Sequence, residues 1–254
     1  MVKIGIRVFP DNVEEVSKLN VDYFEAAVRP ATDLKVYDSI KDRIAGIHGA
    51  ILTQEVNFMN RLYRSVYNPP AISKAMKAAD EIPECKYVVF HPGYIAERAE
   101  ECSLDNLEKL MRRYDDERFH LEVVPVFAYQ ERYVFPVHSV EDYKRLKKET
   151  GKKMLLDIGH AMITARAMNY DPVDYISRLI EELDIRIVHV ADNDERGDGY
   201  EDSHLHIGEG NVPIEKILRK YKDIIEFATL EVNGVNAKDI ELVTDWLQKS
   251  IKFK

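Results

Sequence analysis

Six short apolar runs in this chain end on an acid or an imidazole. They are Ile44–His48, Tyr87–His91, Phe119–Glu122, Met154–Asp157, Ile185–His189 and Phe227–Glu231. Each has the length and composition of a buried strand, and a segment of helical character separates each from the next. Strands that alternate with helices predict a parallel sheet. Lys3–Val8 and a run near Tyr23–Val28 supply two earlier strands, which makes eight. An open, doubly wound sheet would give similar alternation but would scatter the polar ends along a line. A closed sheet gathers them at one rim, the C-terminal mouth where this architecture carries its chemistry. The expected fold class is therefore α/β, a single (β/α)8 TIM barrel over residues 1–254.

Local signals place the helices. Ser103 precedes Leu104, Leu107, Leu110 and Met111 at helical spacing; Ser139 precedes Val140, Tyr143 and Leu146, with Gly151 at the far end. Pro172 opens Val173–Leu183, Pro213 begins Ile214–Tyr221, and Ala237–Ser250 forms a last helix with the only Trp, Trp246. Three long connections, Gly49–Pro69, Val123–His138 and Val190–Val212, all follow strands and would overhang the mouth.

Bulk properties narrow the function. No apolar run approaches the roughly 18 residues of a membrane span, and Met1–Arg7 reads as a strand, without signal-peptide layout. The two cysteines, Cys85 and Cys102, form no C-x-x-C pair, so neither a disulfide framework nor a thiolate zinc site is expected and a cytoplasmic location fits. A net charge of −9 disfavours non-specific nucleic-acid binding.

Beyond the strand ends stand His160, three residues after Asp157, and Asp202 and His204 in Asp202-Ser203-His204-Leu205-His206. The candidate metal ligands are thus His48, His91, Glu122, Asp157, His160, His189, Asp202, His204 and Glu231. Carboxylates and neutral imidazoles suit Zn²⁺ or Mn²⁺, and nine donors exceed the needs of one ion, so two or three ions are admissible. Taken singly, such a residue is more often a surface hydrogen-bonding group; six at equivalent positions favour the metal reading. His206 is expected to turn away, His120 to be a packed core histidine, and His138 to be structural.

His91-Pro92-Gly93, Leu121-Glu122, Leu156-Asp157-Ile158-Gly159-His160-Ala161, Val188-His189-Val190-Ala191-Asp192-Asn193 and Asp202-Ser203-His204 through Gly208-Glu209-Gly210 occur in this order. Together they resemble the xylose-isomerase-like TIM-barrel superfamily, which holds sugar and sugar-phosphate isomerases or epimerases and the endonuclease IV family. The resemblance implies two enzymes. In the first, a metal-dependent sugar isomerase or epimerase, Glu122, Asp157, His189 and Glu231 hold one divalent ion. Glu122 and Glu231 then move a proton through a cis-enediolate, and His160 orients a hydroxyl or steadies the enediolate oxygen. In the second, an endonuclease IV-like phosphodiesterase acting on DNA, all nine residues hold three zinc ions.

The surrounding sequence leans to the isomerase. Glu122 is followed by Val123-Val124-Pro125-Val126 rather than Asn-Thr-Ala-Gly, and Ile51 stands near where a DNA-opening aromatic is expected. Seven acids and one base, Arg196, lie between Val190 and Gly210, which would repel a phosphate backbone. Phe127 and Tyr129, with Tyr133 and Phe135, would form aromatic walls for a small sugar or sugar phosphate, or would pack against a second subunit of a homo-oligomer. Arg196 is the substrate-binding arginine that the resemblance implies. Arg61, Tyr63, Arg64 and Tyr67 could grip a phosphate or lie on a solvated lid. A non-catalytic metal-binding barrel is the remaining class, disfavoured because Glu122 and Glu231 both survive.

Overall fold

Alternation of strand and helix does close the sheet. A computed structural model describes residues 1–51, 56–63, 66–95, 99–128, 132–194 and 202–248. The barrel strands are β1 (Lys3–Val8), β2 (Tyr23–Ala27), β3 (Ile44–His48), β4 (Tyr87–Phe90), β5 (Phe119–Val123), β8 (Lys153–Asp157), β9 (Ile187–Val190) and β10 (Phe227–Leu230). They pair in parallel in sequence order, and β1 meets β10 in the register Lys3↔Phe227 to Ile6↔Leu230. The strand boundaries match the sequence expectation to within two residues.

The intervening segments are α1 (Val13–Val16), a 3-10 segment Leu34–Arg43, α2 (Asn68–Glu81), α3 (Leu104–Met111), α4 (Val140–Thr150), α5 (Ile158–Ala167), α6 (Pro172–Leu183), α7 (Ile214–Tyr221) and α8 (Ala237–Gln248). The predicted caps are in place: Ser103 accepts from the Asn106 amide, Ser139 accepts from the Asp142 amide, and Gly151 ends α4 at φ +67°. Among the described residues no helix is long and apolar enough to cross a membrane.

Two connections are more ordered than the sequence suggests. Val123–His138 contains an antiparallel ribbon, β6 (Phe127–Ala128) with β7 (Tyr133–Val134). Phe135 is fully buried against Tyr94 and Tyr143, with ring centroids 6.3 and 6.2 Å away, so it belongs to the core and not to an aromatic wall. Gly49–Pro69 already contains the start of α2, and Asn57 and Asn68 brace it with reciprocal hydrogen bonds. Arg61 is exposed and paired with Glu101. Tyr63 and Tyr67 meet edge to face at 5.2 Å, and Arg64 lies outside the described residues.

The barrel lumen is stratified. Tyr23, Tyr87, Leu155, Ile187 and Phe227 pack together as an inner cluster, distinct from the larger core between sheet and helices. Tyr87 on β4 donates to Glu25 on β2 (2.6 Å) and lies 3.0 Å from Thr229 Oγ1 on β10, strands that are not its neighbours, so its ring crosses the interior. Room for that crossing comes from Gly46, where a Cβ would come within 2.2 Å of the Tyr87 ring; Gly5 does the same for Tyr23. An apolar floor thus supports a polar upper layer.

Candidate metal centre

Strand alternation stacks the polar layer above that floor. Side chains two residues apart on a strand share a face, so Glu122 lies one step above His120, Asp157 above Leu155, His189 above Ile187, and Glu231 above Thr229. The α5 helix starts straight from the end of β8. Asp157 caps it, accepting from the His160 amide at 2.8 Å, and this turn returns the His160 side chain to the mouth.

Glu122 is the hub, fully buried with imidazoles on both oxygens. Its Oε2 lies 3.1 Å from His48 Nε2 and 3.1 Å from His91 Nε2. Its Oε1 lies 3.0 Å from His160 Nδ1 and 3.8 Å from His189 Nδ1. On the β9–β10 side, His189 Nδ1 is 3.0 Å from Glu231 Oε1, and His189 Nε2 is 2.9 Å from Glu25 Oε2. Asp202 Oδ2 joins His160 Nε2 (3.0 Å) to His204 Nε2 (2.8 Å). All nine residues singled out from the sequence therefore meet in one connected cluster.

The loop that carries Asp202 and His204 is held by the dipeptide after β9. Buried Asp192 accepts from the Gly208 and Val212 amides, and Asn193 Oδ1 accepts from the Ser203 and His204 amides at 2.9 and 3.3 Å. His204 sits in the left-handed region at φ +47°, an uncommon conformation for a residue other than glycine.

Electrostatics within the cluster are unbalanced. Burial drives Asp157 up to about 6. Burial opposes charge on Glu122, yet His91, His160, His189 and His48 hold it well below the carboxylate range. Burial likewise opposes protonation of His160, His189 and His204, but neighbouring acids overcome it: His160 and His189 lie well above the usual imidazole value and His204 at about 9. Burial keeps His48 low and neutral.

The donor set fits a divalent ion on three grounds. Glu122 Oε1, Asp157 Oδ2 and His189 Nδ1 are buried without a hydrogen bond, although such groups ordinarily have partners. The Nδ1 atoms of His48 and His204 lie 2.8 and 2.6 Å from the carbonyls of Gly49 and Glu231, which fixes the proton on Nδ1 in the neutral ring. In neutral His48 the Nε2 lone pair then faces Glu122 Oε2, a repulsive pairing that a cation between them relieves, and His204 would offer Nε2 to an ion once it gives up its second proton. Three groups of donor atoms, each within 4.8 Å of one another, could hold an ion: His48–His91–Glu122, Glu122–Asp157–His160, and Glu25–His48–His189–Glu231.

Two members of the site are absent from the sequence reading. Glu25, fully buried on β2, holds His189; Arg7 on β1 places Nη1 2.6 Å from Glu231 Oε1. Glu25 is the one charge in β2 and Arg7 follows the apolar stretch Ile4-Gly5-Ile6 of β1, and a charge so placed is the available signal. Outside the cluster, His206 pairs with Asp239 (2.9 Å), His120 is buried with Nδ1 2.7 Å from the Arg118 carbonyl, and His138 approaches the Tyr170 hydroxyl, as expected for all three. Phe127 is half-buried on the ribbon; Tyr129 and Arg196 lie outside the described residues.

Residues 13–250 match the family described as xylose isomerase-like TIM barrel. The chain belongs to that family. An uncharacterized protein of Methanocaldococcus jannaschii is 26% identical over 261 residues, spanning 93% of this chain and 84% of the relative. Among solved structures, a D-tagatose 3-epimerase-like protein superposes with TM-score 0.69 at 23% identity, covering 97% of each chain. Endonuclease IV from Thermus thermophilus superposes with TM-score 0.71 at 16% identity, covering 98% of this chain and 100% of its own. At these identities the solved structures establish the shared barrel fold alone.

Proposed function

We propose that this protein is a divalent-metal-dependent hydrolase of phosphate esters whose site takes more than one ion. The observation that carries this reading is Glu122, with two imidazole nitrogens around Oε2 and two more around Oε1. A carboxylate so surrounded suits a bridge between two cations. His48, His91 and Glu122 would hold one ion, Glu122, Asp157 and His160 a second, and Asp202 and His204 with His160, or His189 with Glu231, a third. Ions in such a cluster supply an activated water and neutralise phosphoryl charge.

The chain's own residues do the rest. Gly49 and Glu231 carbonyls fix the tautomers of His48 and His204. Asp192 and Asn193 hold the loop that brings Asp202 over His160. Burial would raise Glu231, but Arg7 and His189 keep it down at about 2. Arg7 Nη1 at 2.6 Å from Oε1 and His189 Nδ1 at 3.0 Å favour the ionised carboxylate, which suits charge neutralisation. Endonuclease IV is the fold neighbour whose name fits this chemistry. The acidic stretch from Val190 to Gly210 disfavours long polyanions, so a small phosphoester is the preferred substrate. The test is elemental analysis together with hydrolysis of bis(p-nitrophenyl) phosphate and of abasic-site DNA. Two or more Zn²⁺ or Mn²⁺ per chain with EDTA-sensitive cleavage of the small diester is expected. One ion and no cleavage of either substrate overturns the proposal.

The isomerase reading favoured by the sequence remains the second. It rests on that same acidic stretch and on a set sufficient for one ion, Glu122, Asp157, His189 and Glu231, with a sugar or sugar phosphate as substrate. Its fold neighbour is the D-tagatose 3-epimerase-like protein. Solvent deuterium appearing in a ketose or ketose phosphate, lost in Glu231→Asp, would establish it.

A further inference from the structure

The upper layer of the lumen contains one carboxylate that the proposed reaction does not use. Glu25 is fully buried on β2 and faces His189 from below. Its Oε2 takes three contacts: His189 Nε2 at 2.9 Å, the Tyr87 hydroxyl at 2.6 Å and the Thr229 hydroxyl at 3.3 Å. Thr229 is in turn held by the Tyr23 hydroxyl at 2.6 Å. Four strands, β2, β4, β9 and β10, thereby converge on one oxygen.

This geometry favours one role for Glu25. An ion bound directly by Glu25 Oε2 would have to displace hydrogen bonds that already satisfy that oxygen. Oε1 is buried without a hydrogen bond, so ligation through it is the competing arrangement, and it would put the ion on the Nε2 side of His189. His189 offers Glu25 the nitrogen remote from the rest of the cluster. Its other nitrogen, Nδ1, is buried without a hydrogen bond and lies 3.0 Å from Glu231 Oε1 and 3.8 Å from Glu122 Oε1. One ring cannot bring both nitrogens to one ion. We infer that Glu25 is a positioning residue: it accepts the Nε2–H of His189, locks the ring, and so presents the Nδ1 lone pair to the ion between Glu122 and Glu231. Carboxylates that hold the far nitrogen of a ligating histidine fix its tautomer and raise its donor strength. The Tyr87 and Tyr23 hydroxyls, through Thr229, hold Glu25 still, and Gly46 and Gly5 leave the room those rings require.

The inference rests on the metal reading of the site and not on the reaction. Its test is Zn²⁺ affinity by chelator competition for the full chain, Glu25→Gln and Tyr87→Phe, with folding checked by circular dichroism. It is paired with ¹⁵N spectra of the ring nitrogens of His189 in the zinc-loaded protein. Glu25→Gln keeps the shape and removes the charge; it should weaken zinc about 10- to 100-fold. Tyr87→Phe keeps the charge and removes one donor, and should weaken zinc by less while leaving the fold intact. The spectra should show the proton on Nε2 and zinc on Nδ1. Wild-type affinity in Glu25→Gln, or zinc on Nε2, overturns the inference. Failure of the unaltered protein to bind zinc overturns it together with the metal reading. Normal zinc binding without phosphoester cleavage removes the proposed reaction alone.

Discussion

Arg7 Nη1 stands 2.6 Å from Glu231 Oε1, so a permanent cation already occupies one flank of the carboxylate that ends the last barrel strand. Both side chains are largely shielded, the guanidinium at 14% and the carboxylate at 3% exposure. Removing one partner of a shielded pair leaves the other charge uncompensated. Arg7→Met is therefore expected to destabilise the metal-free protein by about 3 kcal/mol, the low end for a fully buried pair. Zn²⁺ or Mn²⁺ should restore much of this, because the ion supplies the missing positive charge. Thermal melts with and without metal check this: the metal-induced rise in Tm should be larger in Arg7→Met than in the unaltered protein.

Metal uptake should expel protons well above neutral pH. His204 holds its proton to about 9, and His160 and His189 are also raised, all by acids that outweigh burial. A ring must lose that proton before it can ligate. The sign follows: a ring whose proton is held above the usual imidazole range must give it up to bind metal, so affinity climbs as pH rises, about tenfold per pH unit for each proton displaced, and for His204 the climb continues to about 9. Calorimetric titration of Zn²⁺ in two buffers of different ionisation enthalpy at pH 7.5 should report proton release. A metal affinity that is flat from pH 6 to 8.5 would contradict this assignment.

His120 offers a pH effect independent of metal. Burial lowers it to about 4. The unfolded ring takes up a proton near 6.5 and the folded ring does not until about 4. Its contribution is therefore complete above the unfolded value and is lost as pH falls from about 6.5 to 4, about 3 kcal/mol in total. Urea denaturation in EDTA at pH 7 and at pH 4.5 should show a smaller difference for His120→Gln than for the unaltered protein.

Asp202 and Glu122 should differ in what their loss removes. Glu122→Ala withdraws the shared hub and should abolish tight metal binding. Asp202→Ala removes the partner of His160 and His204, and a weaker contact at 3.5 Å from the Asn193 side-chain amide, and should lower the ion count by one while leaving the His48–His91–Glu122 group in place. Elemental analysis after dialysis distinguishes the two.

The barrel and six of the nine polar rim residues are legible because apolar strand runs carry their own punctuation, and a run that ends on His, Glu or Asp announces its position in the mouth; His160, Asp202 and His204 lie beyond the runs and are legible from the motifs around them. Arg7 and Glu25 are not legible in the same way. They sit inside strands, and only closure of the sheet, with a register shift between Phe24 and Glu25 against β3, decides that both face the lumen. The ribbon is hidden for a different reason. Its strands are two residues each, Phe127–Ala128 and Tyr133–Val134, too short for any periodicity to register. Phe135 misleads because an aromatic in a loop reads alike whether it faces a ligand or the core.

Under the proposed multi-ion reading, the loop clamp of Asp192 and Asn193 bears on the order in which ions would enter and leave. Donors on barrel strands are positioned by the sheet, whereas Asp202 and His204 depend on a handful of amide hydrogen bonds and on a backbone held at φ +47°. Local opening of such a segment costs less than opening the barrel. The ion that relies on it should be last to load and first to depart, so metal content would track the supply of metal in steps, and a starved cell would hold a partly charged pool ready to be topped up.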